Sequence, residues 1–165
     1  LRTMEKESGM EITILRPSLV YGPEVSGNFG SLLRWLKFGI PLPFGSIKNS
    51  RSLVALDNLV DLIITCIDHP NGANKTFLVS DGEDLSTTQL LRRTAKAMGA
   101  AERLLPIPPP LLDLTFRILG RPDLSTRLLE SLQVDLSPTK EILGWIPPLS
   151  VEEGLIRAVE PLSRN

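Results

Sequence analysis

Apolar positions along the first third of the chain follow two rhythms. Glu11 to Leu15 is β-rich and too apolar for a strand with one wet face, which predicts a buried, parallel strand. Phe29, Leu32, Leu33 and Leu36 then recur at helical spacing, and Gly39 closes a helix over 29–38. Upstream, Leu1 to Ser8 reads as the last turns of a helix stopped by Gly9. Since the chain opens on Leu1 rather than Met, with that helix already under way, it is expected to be a fragment of a longer protein.

The same reading carries on downstream. "PLPFG" is a short extended piece with a turn, Ser52 to Leu56 a second strand, and Asp57 the cap of an apolar helix reaching about Asp68. Lys75 to Val79 is a third strand, followed by the turn "SDGED". Ser86 and Gln89 form a capping box, and Leu85 with Leu90 a hydrophobic staple, for a helix that ends at Gly99. "RLLPIPPP" is extended and rigid, and Leu111 to Leu119 is helical. Ser137-Pro138 opens a helix that Gly144 ends, and Ser150 with Glu153 opens the last one. Strands alternating with helices give an α/β or α+β class.

Composition narrows the chemistry. The 165 residues suffice for one domain or a large piece of a bigger one. With 18 Lys+Arg against 19 Asp+Glu, the net charge of −1 argues against a nucleic-acid or membrane-surface role, each of which wants a basic excess. No apolar run approaches bilayer length and no signal peptide opens the sequence. One cysteine, Cys66, excludes an internal disulfide framework and suits a cytoplasmic setting; it lies in an apolar helix and reads as core. With a single His beside it in the composition, the several His or Cys ligands of a structural metal site are missing. That residue, His69, sits at a helix end, where the dipole favours a cation, and no G-x-S-x-G elbow accompanies it. Walker A and G-x-G-x-x-G patterns are absent too. The chain therefore carries no catalytic constellation of its own.

What remains is the stretch "ITILRPSLVYGP". Pro17 forces Arg16 out of the α region, so the chain leaves the strand extended, and Gly22-Pro23 then turns it. In an open α/β sheet the loop at a strand's carboxyl end is where ligands sit. By itself the stretch is either a stiff ligand wall or an ordinary strand exit.

"GMEITILRPSLVYGP" resembles the segment that follows the catalytic Tyr-x-x-x-Lys helix in the extended short-chain dehydrogenase/reductases, the nucleotide-sugar epimerases, dehydratases and reductases typified by UDP-glucose 4-epimerase. Three further stretches match in order: "IPLPFGSIKNSRSLVALDNLVDLI", "FLVSDGEDLSTTQLLRRTAKAMG" and "VDLSPTKEILGWIPPLSVEEGL". The resemblance implies the carboxyl-terminal portion of a Rossmann-type α/β enzyme. Residues 1–27 would end the nucleotide-binding domain, and residues 28–165 would form a mixed α/β substrate-binding lobe. The Gly-rich loop and the Tyr and Lys of the proton chemistry would precede this region, so the chain alone is expected to be inactive.

Roles carry over by position. Pro17 and Ser18 would line the nicotinamide of NAD or NADP, bound mainly by the preceding half. Leu19 stands where epimerases often place an asparagine that reaches the substrate phosphate, a departure that touches the sugar side. Asn28 resembles the residue whose amide approaches the diphosphate at a helix N-terminus, although it also suits a plain N-cap. Leu42 to Phe44 resembles the segment along the uracil, and Arg51 the arginine that pairs with a phosphate through its planar fork; a solvated surface arginine is the alternative. A second phosphate-binding arginine is expected before "VDLSPTKEILGW", with Arg127 favoured over Arg117 and Arg121.

The family thus implies the substrate-binding half of an NAD(P)-dependent nucleotide-sugar 4-epimerase. Alternatives are a 4-ketoreductase of the same family, or a non-catalytic scaffold relative. The expected ligand is a UDP-linked nucleotide sugar, and the parent protein would be a cytoplasmic homodimer that binds neither nucleic acid nor membrane.

Overall fold

A computed structural model describes residues 11–23 and 28–163, with backbone alone at 28, 162 and 163. The helix end expected over 1–8, with its Gly9 stop, lies outside the described residues. Twelve elements follow in chain order: β1 (Ile14–Pro17), β2 (Leu19–Tyr21), α1 (Asn28–Lys37), β3 (Arg51–Ala55), α2 (Leu56–Asp68), β4 (Thr76–Val79), β5 (Asp84–Leu85), α3 (Thr87–Ala97), α4 (Pro109–Ile118), α5 (Pro122–Leu129), α6 (Ser137–Leu143) and α7 (Val151–Ser163).

Two small sheets organise them. β1 pairs in parallel with β4, Ile14 opposite Thr76 and Pro17 opposite Val79. β2 pairs in parallel with β3, Leu19 opposite Leu53 and Tyr21 opposite Ala55, while β5 runs antiparallel on the other edge of β3. The chain changes sheet at Ser18, between the two strands on either side of it.

The first strand is parallel, as its composition predicts, but it begins later and is less buried. The Ile12 amide donates to Asn74 Oδ1 at 2.9 Å and the Thr13 hydroxyl to the Gly72 carbonyl at 2.8 Å, so the strand ladder starts only at Ile14. Only β4 flanks β1 among the described residues, which leaves Ile14 and Leu15 half-buried and Arg16 and Pro17 exposed. β2 itself is an addition: sequence gives Leu19–Tyr21 no strand signal beyond the extended exit that Pro17 imposes.

The helix boundaries at 28–37, 56–68 and 87–97 fall within a residue or two of expectation. Gly39 and Gly144 close α1 and α6 with φ of +64° and +62°, a left-handed turn that glycine adopts without strain. The Ser86–Gln89 box is complete, and Leu85 and Leu90 are buried in one cluster. Ser150 and Glu153 cap α7 reciprocally, the Ser150 amide donating to Glu153 Oε2 at 2.9 Å. Asp57 does not cap α2. The helix starts one residue earlier, at Leu56, with Ala55 in the N-cap position; Asp57 lies in the first turn, where the dipole favours its charge, and accepts from Arg157 at 3.1 Å. α5 is the helix that the sequence pattern missed, although Arg121-Pro122 offered a proline at its start.

Three clusters form the core. Tyr21, Phe29, Leu53, Leu90 and Leu155 meet between β2–β3 and α7. Leu36, Leu42, Phe44, Leu91 and Leu112 join α1, α3 and α4. Leu62, Cys66, Phe77, Val79 and Trp145 fill the space beneath β4. Cys66 is therefore core, and burial pushes its thiol up. β1 and β4, which lie on either side of residue 27 in the chain, are hydrogen-bonded to each other.

Candidate nucleotide-sugar site

β2 and β3 place Leu19 and Arg51 near one another, and α1, α3 and α5 close around them. The result is a cavity of about 280 Å³ lined by Leu19, Phe29, Leu32, Arg51, Thr87, Leu90, Arg127 and Leu128. Its walls are largely aliphatic and aromatic, with two arginines among the lining residues. Three of the residues singled out in the sequence, Leu19, Arg51 and Arg127, thus share one cavity.

Arg51 opens β3, half-buried, and its Nη1 donates to the Arg127 carbonyl. Its Nε is buried and has no hydrogen-bond partner among the described residues. Burial pushes this guanidinium below the usual arginine value, with the nearby Glu130 charge opposing the shift. A partly desolvated guanidinium in a cavity lining has the charge and the planar donor fork that suit an anion.

Arg127 is held by contacts that sequence reasoning did not find. Asn49 Nδ2 donates to the carbonyls of Leu128 and Glu130 at 3.2 and 2.9 Å, and Thr87 Oγ1 donates to the Leu128 carbonyl at 2.7 Å. The Thr87 amide in turn donates to Asn49 Oδ1 at 2.8 Å. These bonds satisfy the free carbonyls at the end of α5 and fix its last turn against the cavity. Beyond it, Ser52 Oγ donates to Asp84 Oδ1 at 2.6 Å and accepts from the Val134 amide at 2.8 Å, tying the segment after α5 alongside β3. An N-x-x-S run such as Asn49 to Ser52 carries no periodic signal, so only the fold reveals its use.

Pro17 and Ser18 stand apart from that cavity, at the carboxyl ends of β1 and β4. The Ser18 amide donates to the Val79 carbonyl at 3.0 Å. Its hydroxyl is buried without a partner among the described residues. Asn28 opens α1, and its side chain lies outside the described residues. Leu42 and Phe44 are each 4% exposed and pack in the core, with the Leu42 backbone bonded to Arg103 and Leu105. Neither lines the cavity; their apolar side chains hold α1 against α4.

The opposite end of β2–β3 carries a polar knot that the sequence reading passed over as a turn. Asp81 Oδ2 accepts from the Tyr21 hydroxyl at 2.8 Å, and Oδ1 accepts from Asn58 Nδ2 at 2.7 Å and the Ala55 amide at 2.9 Å. Asn58 also pairs both ways with Leu149, at 2.8 and 2.9 Å. Burial pushes the Asp81 carboxyl up, against the pull of its donors, and together with the Asp81 charge raises the Tyr21 phenol far above its ordinary range. Tyr21 thus remains a neutral donor at any working pH.

Among the described residues no cluster of His, Cys, Asp and Glu could hold a metal ion, and no helix is long and apolar enough to cross a membrane. A second hollow, of about 560 Å³, lies between β1 and α2, lined by Leu15, Ile63, Cys66, Ile67 and His69 among others.

No protein-family profile matches the chain. It is 52% identical over 155 residues to UDP-glucose 4-epimerase of Vibrio cholerae, a match covering 93% of this chain and 47% of that protein. UDP-glucose 4-epimerase of Mycolicibacterium smegmatis is 29% identical over 117 residues, covering 71% of this chain and 32% of the relative. Among solved structures, UDP-glucose 4-epimerase of Thermotoga maritima, crystallised with UDP-glucose, superposes with a TM-score of 0.74 at 24% identity, covering 99% of this chain and 49% of that one. The chain thus spans about half the length, or less, of these relatives.

Proposed function

The chain belongs to the extended short-chain dehydrogenase/reductase family, among its UDP-glucose 4-epimerase-like members, and from that premise we propose that it forms the substrate-binding half of an NAD(P)-dependent nucleotide-sugar 4-epimerase. The observation that carries the reading is Arg51. Its half-buried guanidinium and the neighbouring Arg127 belong to the lining of a largely aliphatic and aromatic cavity, a setting that suits a diphosphate with a flat base beside it.

In this reading Arg51 and Arg127 hold the diphosphate, the amino end of α1 at Asn28 adds its dipole, and the aliphatic wall with Phe29 excludes water. Leu42 and Phe44 act from the core, by supporting that wall. Ser18, with its spare buried hydroxyl, and Pro17 would line the nicotinamide of NAD or NADP, which when bound supplies the hydride exchange at the sugar. The part of the enzyme outside this chain would hold most of the cofactor and the proton-transferring pair, so this chain alone is inactive. Its contribution is position: binding through a remote group holds the reacting carbon in place.

The β1–β4 pair, rather than residues 1–27 alone, would belong to the nucleotide-binding sheet. The half-exposed apolar side chains of α2, Val60, Ile63, Ile64 and Ile67, would be covered by the rest of that domain. The enzyme is proposed to be a cytoplasmic homodimer.

The test is steady-state kinetics on the full-length protein with UDP-glucose. Charge-assisted hydrogen bonds contribute about 1.5–3 kcal/mol each, so Arg51→Ala should raise KM roughly tenfold to a hundredfold while kcat changes much less. Arg51→Lys should recover only part, because a point charge cannot make the two-pronged contact. Unchanged KM and kcat in Arg51→Ala would overturn the site. Interconversion of UDP-glucose and UDP-galactose without net consumption of NAD(P)H identifies the epimerase. Consumption of NAD(P)H with a 4-keto sugar identifies the reductase instead, and neither activity a scaffold.

A further inference from the structure

We propose that Asp81 is a positioning residue for the nucleotide-sugar cavity, acting through Tyr21 on two of its wall residues; the proposal rests on the site reading above. β2 is three residues long and among the described residues pairs only with β3, so that ladder alone holds it weakly. What pins it is its last side chain. Tyr21 is fully buried, and its hydroxyl donates to Asp81 at 2.8 Å from the turn after β4. Two residues earlier on the same strand stands Leu19, which lines the cavity. The Tyr21 ring also packs on Phe29, centroids 5.8 Å apart and tilted by 58°, and Phe29 is the second wall residue. One hydroxyl therefore sets where both sit.

Asp81 is in turn held by donors from β3 and α2, through Ala55 and Asn58, and its own amide donates to the Leu53 carbonyl at 2.7 Å. It thus references β2 to the strand that carries Arg51. A separate feature supports the same device. A Cβ on Gly154 of α7 would stand 2.5 Å from the Tyr21 hydroxyl oxygen, so the missing side chain is what lets that hydroxyl reach Asp81. The hydroxyl also lies 3.3 Å from the Val151 carbonyl, an alternative acceptor. An amide at position 81 would donate to the phenol oxygen while the phenol donates to Val151, but its nitrogen would replace Oδ2, which also accepts from the Ala55 amide at 3.1 Å, and would set donor against donor there.

The experiment uses the full-length protein, with Tyr21→Phe, Gly154→Ala and Asp81→Asn. It reads UDP affinity by calorimetry, and backbone hydrogen exchange in β2 and at Phe29. Loss of one hydrogen bond to a charged group predicts that Tyr21→Phe weakens UDP binding about tenfold and speeds β2 exchange by a similar factor, with β1 and β4 unchanged. Gly154→Ala should move both readouts in the same direction, and so should Asp81→Asn, by less than Tyr21→Phe, because its amide nitrogen keeps the phenol bond but opposes the Ala55 amide. Tyr21→Phe with parental UDP affinity and parental exchange overturns the proposal, as does equal acceleration of exchange throughout the chain, which marks global destabilisation. A parent protein that does not bind UDP at all defeats the site reading; the β2 and Phe29 exchange then still decides whether Asp81 and Tyr21 set those two residues.

Discussion

The two ends of the β2–β3 strand pair each bring a charge into the protein interior, and they treat it in opposite ways. At the carboxyl end, Asp81 is surrounded by donors, and every side-chain oxygen it offers is used. At the amino end of β3, Arg51 keeps a buried Nε with no partner among the described residues. A satisfied buried charge holds a fold together, whereas an unsatisfied one raises the free energy of the empty protein and is stabilised by whatever ligand completes it. Hydrogen-bond accounting thus sets the structural role of Asp81 apart from the role proposed for Arg51, at two places a few residues apart.

Truncating each charge should break the comparison if it is false. Asp81→Leu leaves the Ala55 amide and one Asn58 donor unpaired in the interior. At about 1–3 kcal/mol for each of the two stranded groups, the loss is about 2–6 kcal/mol of stability and a Tm lower by roughly 4–24 °C. Arg51→Ala removes one bond to the Arg127 carbonyl and also a desolvated cation, so its stability should stay within about 1 kcal/mol of the parent. Denaturant unfolding of both variants checks this. Equal losses would show that Arg51 is as structural as Asp81.

A smaller effect sharpens the account of the carboxyl end. Gly154→Ala places a methyl 2.5 Å from the Tyr21 oxygen and 3.0 Å from Ala55 Cβ, an overpacking that costs about 1–3 kcal/mol. In a Tyr21→Phe background the obstructing oxygen is gone, so the cost of Gly154→Ala should fall, leaving a coupling of at least about 0.5 kcal/mol in a double-mutant cycle. Strict additivity would mean that α7 shifts as a body and that Gly154 does not gate the hydroxyl.

These two ends also explain which parts of the molecule were legible in the sequence. The helices of 28–37, 56–68 and 87–97 announced themselves by apolar period and by caps such as Ser86–Gln89, because both signals are local. Arg51 and Arg127 were found through a family resemblance, and the fold brings them to one cavity with Leu19. Asp81 was read as one more residue of a turn. Its role depends on Tyr21, sixty positions away, and on Asn58, and no periodicity links such partners. The same limit applies to Asn49 and Thr87, whose bonds to the end of α5 span 79 and 41 positions. Leu42 and Phe44 show the converse: a match to a binding segment did not reveal that both side chains turn inward.

The finest test of the comparison is the pH dependence of the Asp81 end. Burial holds the folded-state pKa of Asp81 above its unfolded value, although three donors pull the other way. The native state therefore binds this proton more tightly than the unfolded chain does. Stability from this group is fully present below the unfolded aspartate value of about 3.9 and is lost as pH rises through the folded value. Asp81→Asn abolishes the titration and leaves all others in place, including those of Asp113, Asp135 and Glu153, whose hydrogen bonds depress them and give the opposite trend. Those contributions cancel when variant and parent are compared at each pH. The expected result is a difference that shifts toward the parent as pH falls from neutrality and levels off below about pH 4, measured by denaturant unfolding from about pH 3.5 to 8. A difference that shifts toward the variant on acidification would mean that the donors outweigh burial and that Asp81 is held as a stabilised carboxylate. A flat difference would mean that the knot binds proton and no proton equally, and that its hold on β2 is indifferent to charge.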